Sequence, residues 1–435
     1  MKVAIATLGC RVNQYESEAM VEKFIREGFE VAEFDEFSDV YVINTCTVTN
    51  MGDKKSRQMI GRARRVNSSA VIAVVGCYAQ IAATEIAKIE GVDVVLGSRN
   101  KGDIVYWVNR YIEEKMQIIE VSDVLKNQVF EDLNIKEYKD RTRAFIKIQD
   151  GCNRFCSYCL IPYARGAVCS KKPDKILAEV HELAANGFKE ILLSGIHIAS
   201  FGLDLEDGWN LVRVLEQLDT VPGIERIRIG SIDPTFFTGE VIEKIKSLKK
   251  LCHHFHLSLQ SGCDETLKRM NRKYTAQEYK TVVDNLRSNI HEVSITTDVI
   301  VGFPGETTKE FNETYAFLKD IELTKMHIFK YSPRKGTKAA GIKEQVNGNI
   351  KEQRSHTLIT LSDVLEKKFI DKFIGKDMNV LYEIKSSHSV NDFEGYTNNY
   401  IKVIVKSQKN IECEFHKTKL IECMGDHISG EVKEL

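Results

Sequence analysis

Three cysteines stand in one short run, Cys152-Asn153-Arg154-Phe155-Cys156-Ser157-Tyr158-Cys159. A structural zinc ion usually takes four protein ligands. Three thiolates suit a [4Fe–4S] cluster with one iron left open, because thiolate is the soft ligand such clusters require. Three further cysteines, Cys10, Cys46 and Cys77, lie far apart in the chain. Each falls just after a short apolar run, and cysteines at the ends of neighbouring strands could converge on one crevice. Eleven cysteines in 435 residues are not a disulfide framework of the short secreted kind. Cys252, Cys263, Cys413 and Cys423 are expected to be buried small hydrophobes, and Cys169 an incidental thiol.

The elements that must position these thiols follow from periodicity. Residues 3–8, 40–44, 71–75 and 92–96 read as buried strands, with amphipathic helices such as 16–27 and 54–65 between them. Strand–helix alternation implies an open, mostly parallel sheet with ligands at the strand carboxyl ends. A polar stretch over 123–140 reads as linker. Strands then begin near Ala144, Glu190, Arg226, Phe255, Ser294 and Lys325, alternating with helices. Six strand–helix units make an incomplete version of the eight-unit barrel. All six prolines lie in this middle part, and Pro173 suits the first turn of a helix. From about Gly375 the helical period gives way to short strands, 379–383, 400–405, 413–419 and 430–432, which suggest a small antiparallel barrel. The expected fold is therefore α/β, with an N-terminal domain at 1–122, a linker at 123–140, a core at 141–372 and a terminal barrel at 373–435.

Composition narrows the function. Sixty-one basic against 62 acidic residues exclude a globally basic nucleic-acid binder, but not a local patch. Hydrophobics at 43% and charges at 28% exclude a disordered chain. No run approaches 18 apolar residues, and the first ten residues lack the features of a signal peptide, so a soluble cytoplasmic protein is expected. Basic residues concentrate over 53–65, where Lys54, Lys55, Arg57, Arg62, Arg64 and Arg65 face Asp53 alone. Such a helix could hold the phosphates of an RNA, or be a solvated face. Arg141 and Arg143 are weaker candidates. The terminal barrel holds eight Lys, no Arg and ten acidic residues over 376–435, so charge does not make it an RNA binder.

The run Cys152–Cys159, with Tyr158 before its third cysteine, is similar to the signature of radical S-adenosylmethionine (SAM) enzymes. The whole chain resembles the methylthiotransferases of that superfamily, which join a three-cysteine domain, a radical SAM half-barrel and a small barrel called TRAM. The resemblance rests on Thr7-Leu8-Gly9-Cys10, Asn44-Thr45-Cys46-Thr47-Val48-Thr49, Gly76-Cys77-Tyr78-Ala79, Ile161-Pro162-Tyr163-Ala164-Arg165-Gly166, Tyr331-Ser332-Pro333-Arg334-Lys335-Gly336-Thr337 and Gly395-Tyr396-Thr397-Asn398-Asn399-Tyr400. Arg11-Val12-Asn13-Gln14-Tyr15-Glu16-Ser17 looks like the branch that modifies N6-threonylcarbamoyladenosine (t6A) at position 37 of tRNA.

The resemblance implies two [4Fe–4S] clusters, one on Cys152, Cys156 and Cys159 and one on Cys10, Cys46 and Cys77. SAM would be both radical source and methyl donor. It implies SAM contacts at Tyr158, at Ser194 and Gly195 after the second core strand, at Ser231 after the third, at Gln260 after the fourth, and at Asp298 and Phe303 in the run ending the fifth. Arg334 joins the 54–65 helix as a candidate RNA contact. Implied partners are a tRNA anticodon stem-loop bearing t6A, a sulfur donor and a one-electron reductant of flavodoxin or ferredoxin type, with no membrane. One departure is visible: Arg165-Gly166 is usually followed by Arg-Ser-Arg, and here by Cys169-Ser170-Lys171. Other readings are a methylthiotransferase acting on a ribosomal-protein side chain or on isopentenyladenosine, and a non-enzymatic Fe–S electron-transfer or RNA-binding protein.

Overall fold

The computed structural model describes all residues except 48–49, 127–128, 134, 136–141, 386–390, 426 and 434–435. Arg141 thus lies outside the described residues. The N-terminal sheet is parallel throughout, in the order β2-β1-β3-β4-β5-β6, where β1 is Lys2–Thr7, β2 Glu30–Ala32, β3 Val40–Thr45, β4 Val71–Gly76, β5 Val94–Leu96 and β6 Ile118–Glu120. The central β3 and β4 are buried at every residue, as strands covered on both faces must be. Helix α1 (Arg11–Arg26) covers one face through Met20 and Phe24, and α2 (Asn50–Val66) the other through Ile60 and Ala63. The two edge strands β2 and β6 escape sequence reading because three half-exposed residues carry no period.

The core contains the six expected parallel strands: β7 (Arg143–Asp150), then β9 (Glu190–Gly195), β10 (Arg226–Ile229), β11 (His254–His256), β12 (Ser294–Val301) and β13 (Lys325–Lys330), with a two-residue β8 (Cys169–Ser170) set antiparallel on the end of β7. Isolated bridges such as Ile232 to Leu257 join β10 to the β11 side. Among the described residues β13 does not pair with β7, so the arc is not closed. Two of its helices, Ala276–Asn289 and Thr308–Ile321, start with capping boxes, and Pro173 opens a third.

The terminal strands β14 (Asp377–Lys385), β15 (Asp392–Thr397), β16 (Lys402–Lys406), β17 (Phe415–Cys423) and β18 (Ile428–Val432) close in the order β14-β15-β16-β18-β17. The expectation of a wholly antiparallel barrel is corrected at one pairing, because β16 and β18 run parallel. Five strands in a closed ring cannot alternate direction at every neighbour.

The stretch over 123–140 is more than a linker where it is described. Val124, Leu133 and Ile135 are buried, the last two against Tyr15 and Ala19 of α1. Asp132 pairs with Lys171 and Lys175 of the core. Its polar composition reflects ion pairs to the domains it joins. Cys252 and Cys263 are buried as expected, but Cys413 is exposed on a turn at φ +62° and Cys423 is only partly covered. Among the described residues no helix is long and apolar enough to cross a membrane.

Candidate active site

The N-terminal cysteines converge because three parallel strands end side by side. Gly9 lies at φ +110°, and a Cβ there would stand 2.7 Å from Cys46 Cβ and 2.9 Å from its Sγ. Glycine therefore allows β1 to turn into α1 in contact with Cys46. Asn13 ties the two turns together, donating to Leu8 O at 2.7 Å and Thr45 O at 3.0 Å. Cys77 opens helix α3 (Cys77–Ile81), and Arg165 Nε donates to its Sγ at 3.2 Å. Burial raises the Cys10 thiol above its ordinary pKa, Arg165 opposes this, and the neighbouring Cys77 raises it further.

The second triad sits on one loop. Gly151, at φ +71°, precedes Cys152, where a Cβ would run into Ala167 O. Backbone N–H groups of Arg154 and Ile161 donate to the sulfurs of Cys152 and Cys159 at 3.5 and 3.4 Å. Arg272 Nη1 donates to Cys156 Sγ at 3.4 Å. Ser157 anchors the loop to Met270 O and Arg269 O at 3.0 and 2.7 Å. Burial pushes the Cys159 thiol up to about 12 and raises Cys152 as well. Such thiols release their protons when a metal takes their place.

Among the described residues no three His, Cys, Asp or Glu side chains close on a single metal ion. A cluster binds each thiolate through a different iron, so its ligands stand farther apart than those of one ion. Each triad supplies three thiols, and a guanidinium donates to a sulfur of each, Arg165 to Cys77 and Arg272 to Cys156. That donor set fits a thiolate-bound cluster of net negative charge. Helix α3 packs against helix Ile161–Arg165, which follows Cys159, so the two triads are neighbours in space.

A cavity of about 690 Å³ opens beside them. Cys10 and Arg11 line it from the N-terminal domain, Ser194, Gly195 and Ser231 from the strand ends of the core, and Asp298 from the middle of β12. Tyr396 and Tyr400 line it from the terminal barrel. Four of the seven residues expected to contact SAM are thus brought together there. The other three lie outside its lining. Gln260 is held at φ +76° with its backbone bonded to Asp298 O and Ile300 N. Phe303 is fully buried, edge-on to Tyr158 and Tyr331, and packs beneath the Cys152–Cys159 loop. The barrel docks through Arg226 and Arg228, which donate to its carbonyls, and through a stack of Tyr396, Tyr400 and His254.

Between the domains lies a buried charge network that sequence reading missed. Arg165 donates to Glu16 at 2.7 and 3.0 Å, to Asp150 at 3.2 Å and to Asn13 Oδ1 at 2.6 Å. Lys147 reaches Glu16 at 2.8 Å and Asp150 at 2.7 Å, and Lys101 reaches Glu16 at 3.4 Å. Arg99 donates to Arg165 O and to Cys169 Sγ. Four cations (Arg99, Lys101, Lys147 and Arg165) face three carboxylates (Glu16, Asp150 and Glu131). The excess positive charge lies against Cys77. The available signal was Lys147, Gln149 and Asp150 on a strand that is otherwise apolar after Arg143. Cys169 is a buried acceptor in this network and takes no place among the triads.

The RNA candidates divide. Lys54, Lys55, Arg57, Arg62 and Arg65 are exposed along α2. Arg57 donates to Tyr78 OH at 3.0 Å and Arg62 pairs with Asp35. Arg64 instead turns inward to the carbonyls of Ser68 and Gly91, stapling α2 to the sheet. Arg334 is a correction: it is 5% exposed, bonded to Thr47 Oγ1 at 2.6 Å and Asp53 at 2.7 Å, and joins core to N-terminal domain. Arg143 is likewise internal, paired with Glu383 at 2.7 Å.

Residues 2–97 match the model described as "Uncharacterized protein family UPF0004", and residues 146–318 that of the radical SAM superfamily. The chain is 44% identical to the threonylcarbamoyladenosine tRNA methylthiotransferase of Bacillus subtilis, over 99% of this chain and 96% of that one. It is 40% identical to the Aquifex aeolicus protein of the same name, over 94% and 98%. A tRNA-2-methylthio-N(6)-dimethylallyladenosine synthase of Clostridium botulinum is 34% identical over 98% and 96%. Among solved structures, the radical SAM methyltransferase TsrM of Kitasatospora setae shares the fold, with a TM-score of 0.56 and 15% identity over 77% of this chain and 76% of that one. The chain belongs to the threonylcarbamoyladenosine tRNA methylthiotransferase family of the radical SAM superfamily.

Proposed function

We propose that this protein converts t6A at position 37 of tRNA to its 2-methylthio derivative. The observation that carries the reading is the single cavity onto which Cys10 of one triad and the strand ends beside the other both open. The C2 carbon of adenine bears no acidic proton and is a poor electrophile, so acid–base chemistry offers little. When bound, the cluster on Cys152, Cys156 and Cys159 supplies one-electron cleavage of SAM. The protein's own task is to seat the base and exclude water, which the enclosing barrel residues Tyr396 and Tyr400 serve. Cys10, Cys46 and Cys77 would hold the second cluster, beside which sulfur reaches the base. A second SAM supplies the methyl group, and a sulfur donor and a flavodoxin- or ferredoxin-type reductant complete the cycle in the cytoplasm. Nucleosides of tRNA from a strain lacking this gene should retain t6A and lose the 2-methylthio form. An unchanged profile rejects the function.

The exposed edge of α2 would grip the anticodon stem-loop. Asp53 is already neutralised by Arg334, which leaves Lys54, Lys55 and Arg65 with no acidic partner among the described residues. Reversing these three to Glu should weaken tRNA binding and reduce the slope of log affinity against log salt by about one unit for each phosphate no longer held. Wild-type affinity and slope in that variant would make α2 a solvated face.

A further inference from the structure

We infer that Arg11 is a specificity-determining residue that binds the carboxylate of the threonylcarbamoyl group. The inference rests on the t6A reading and names the residue that selects this substrate. Arg11 directly follows Cys10, is the first residue of α1, and is exposed where it lines the cavity. Its guanidinium lies over the Phe145 ring at 5.2 Å and faces the Tyr400 hydroxyl, so its plane is held from two sides.

The other lysine and arginine side chains of the cavity wall are already answered. Arg228 pairs with Glu190 at 2.9 Å, Lys325 with Glu366 at 2.8 Å and Lys402 with Glu394 at 3.0 Å. His256 faces Asp298 at 3.3 Å, and burial keeps His254 neutral. Among the described residues no carboxylate pairs with Arg11. An uncompensated guanidinium facing a cavity is a site for an anion brought by the substrate. Linking threonine to N6 through its amine leaves its carboxylate free. C2 and the N6 substituent flank N1 on one edge of the base. A base seated with C2 toward Cys10 therefore carries its carboxylate into the same chamber, where a guanidinium can take it through two parallel hydrogen bonds.

The test compares two anticodon stem-loops, one bearing t6A and one bearing its threonine methyl ester, bound to the reconstituted protein. The wild type should bind the acid roughly 10- to 100-fold more tightly than the ester, the range for removing a charge-assisted hydrogen-bonding partner. Arg11→Gln should bind both alike, and Arg11→Lys should recover part of the preference, since it keeps charge without the fork. Iron content is measured for each variant. If Arg11→Gln lowers it, the iron-replete Arg11→Lys decides, and an acid–ester ratio undiminished from wild type in that variant overturns the role of Arg11. Equal wild-type binding of acid and ester, or a preference preserved in an iron-replete Arg11→Gln, overturns the role of Arg11. Absence of any methylthio product from the wild type on the t6A stem-loop overturns the substrate reading instead.

Discussion

Replacing Cys152, Cys156 and Cys159 together with alanine is expected to lower the iron of reconstituted protein from about eight to about four atoms and to abolish SAM cleavage. The three sulfurs sit on one loop, where backbone N–H donors and Arg272 are aimed at them. Single replacements are a weaker test, because a cluster can persist on two thiolates and an exogenous ligand. The N-terminal triad rests on other strands and on Arg165, so its iron should stay. Alanine at Cys10, Cys46 and Cys77 should give the opposite outcome, with 5′-deoxyadenosine still released and the methylthio product absent. Iron analysis and chromatography of the SAM products read both. Unchanged iron in the Cys152 triple variant would reject this loop as a cluster site.

Much of this organisation was legible because it is written in local spacing. The Cys-x3-Cys-x2-Cys run lies within eight residues, and buried strands such as β3 and β4 are continuous apolar runs that periodicity detects. The convergence of Cys10, Cys46 and Cys77 could be anticipated from their positions after parallel strands. Arg334 and Arg64 were misread because a sequence shows charge but not direction. One points into a domain interface and the other back onto its own sheet. Arg11 was legible only as part of a motif, since its importance comes from the lack of a paired carboxylate among the described residues around it in space. The parallel pairing of β16 with β18 follows from closure, which no single strand encodes.

Glu16 exposes the same limit most sharply, and its replacement has a large expected effect. Its side chain is wholly buried and is gripped by Arg165, Lys147 and Lys101, which belong to both domains. Burial alone would raise its pKa, but these three cations outweigh burial and hold the carboxylate well below its usual range. Glu16→Gln keeps the shape and removes the charge, leaving four cations against two carboxylates. Breaking a buried ion pair from one side typically costs about 3–5 kcal/mol. Anaerobic unfolding in urea, followed by limited proteolysis, should show a destabilisation of that size. The sign of its pH dependence is fixed by the depressed value. The ionised form contributes its full stability above the unfolded pKa of about 4.3, and the contribution is lost as pH falls toward the folded value. The difference between wild type and Glu16→Gln should therefore be the same at pH 8 and pH 5.5. A penalty that fades over that interval would mean that Glu16 is not held as an anion. Because Glu16 also orients Arg165 against Cys77, the variant should lose iron from the N-terminal site while keeping that of the Cys152 loop. Iron retained at both sites would confine Glu16 to the domain interface and separate it from the sulfur chemistry.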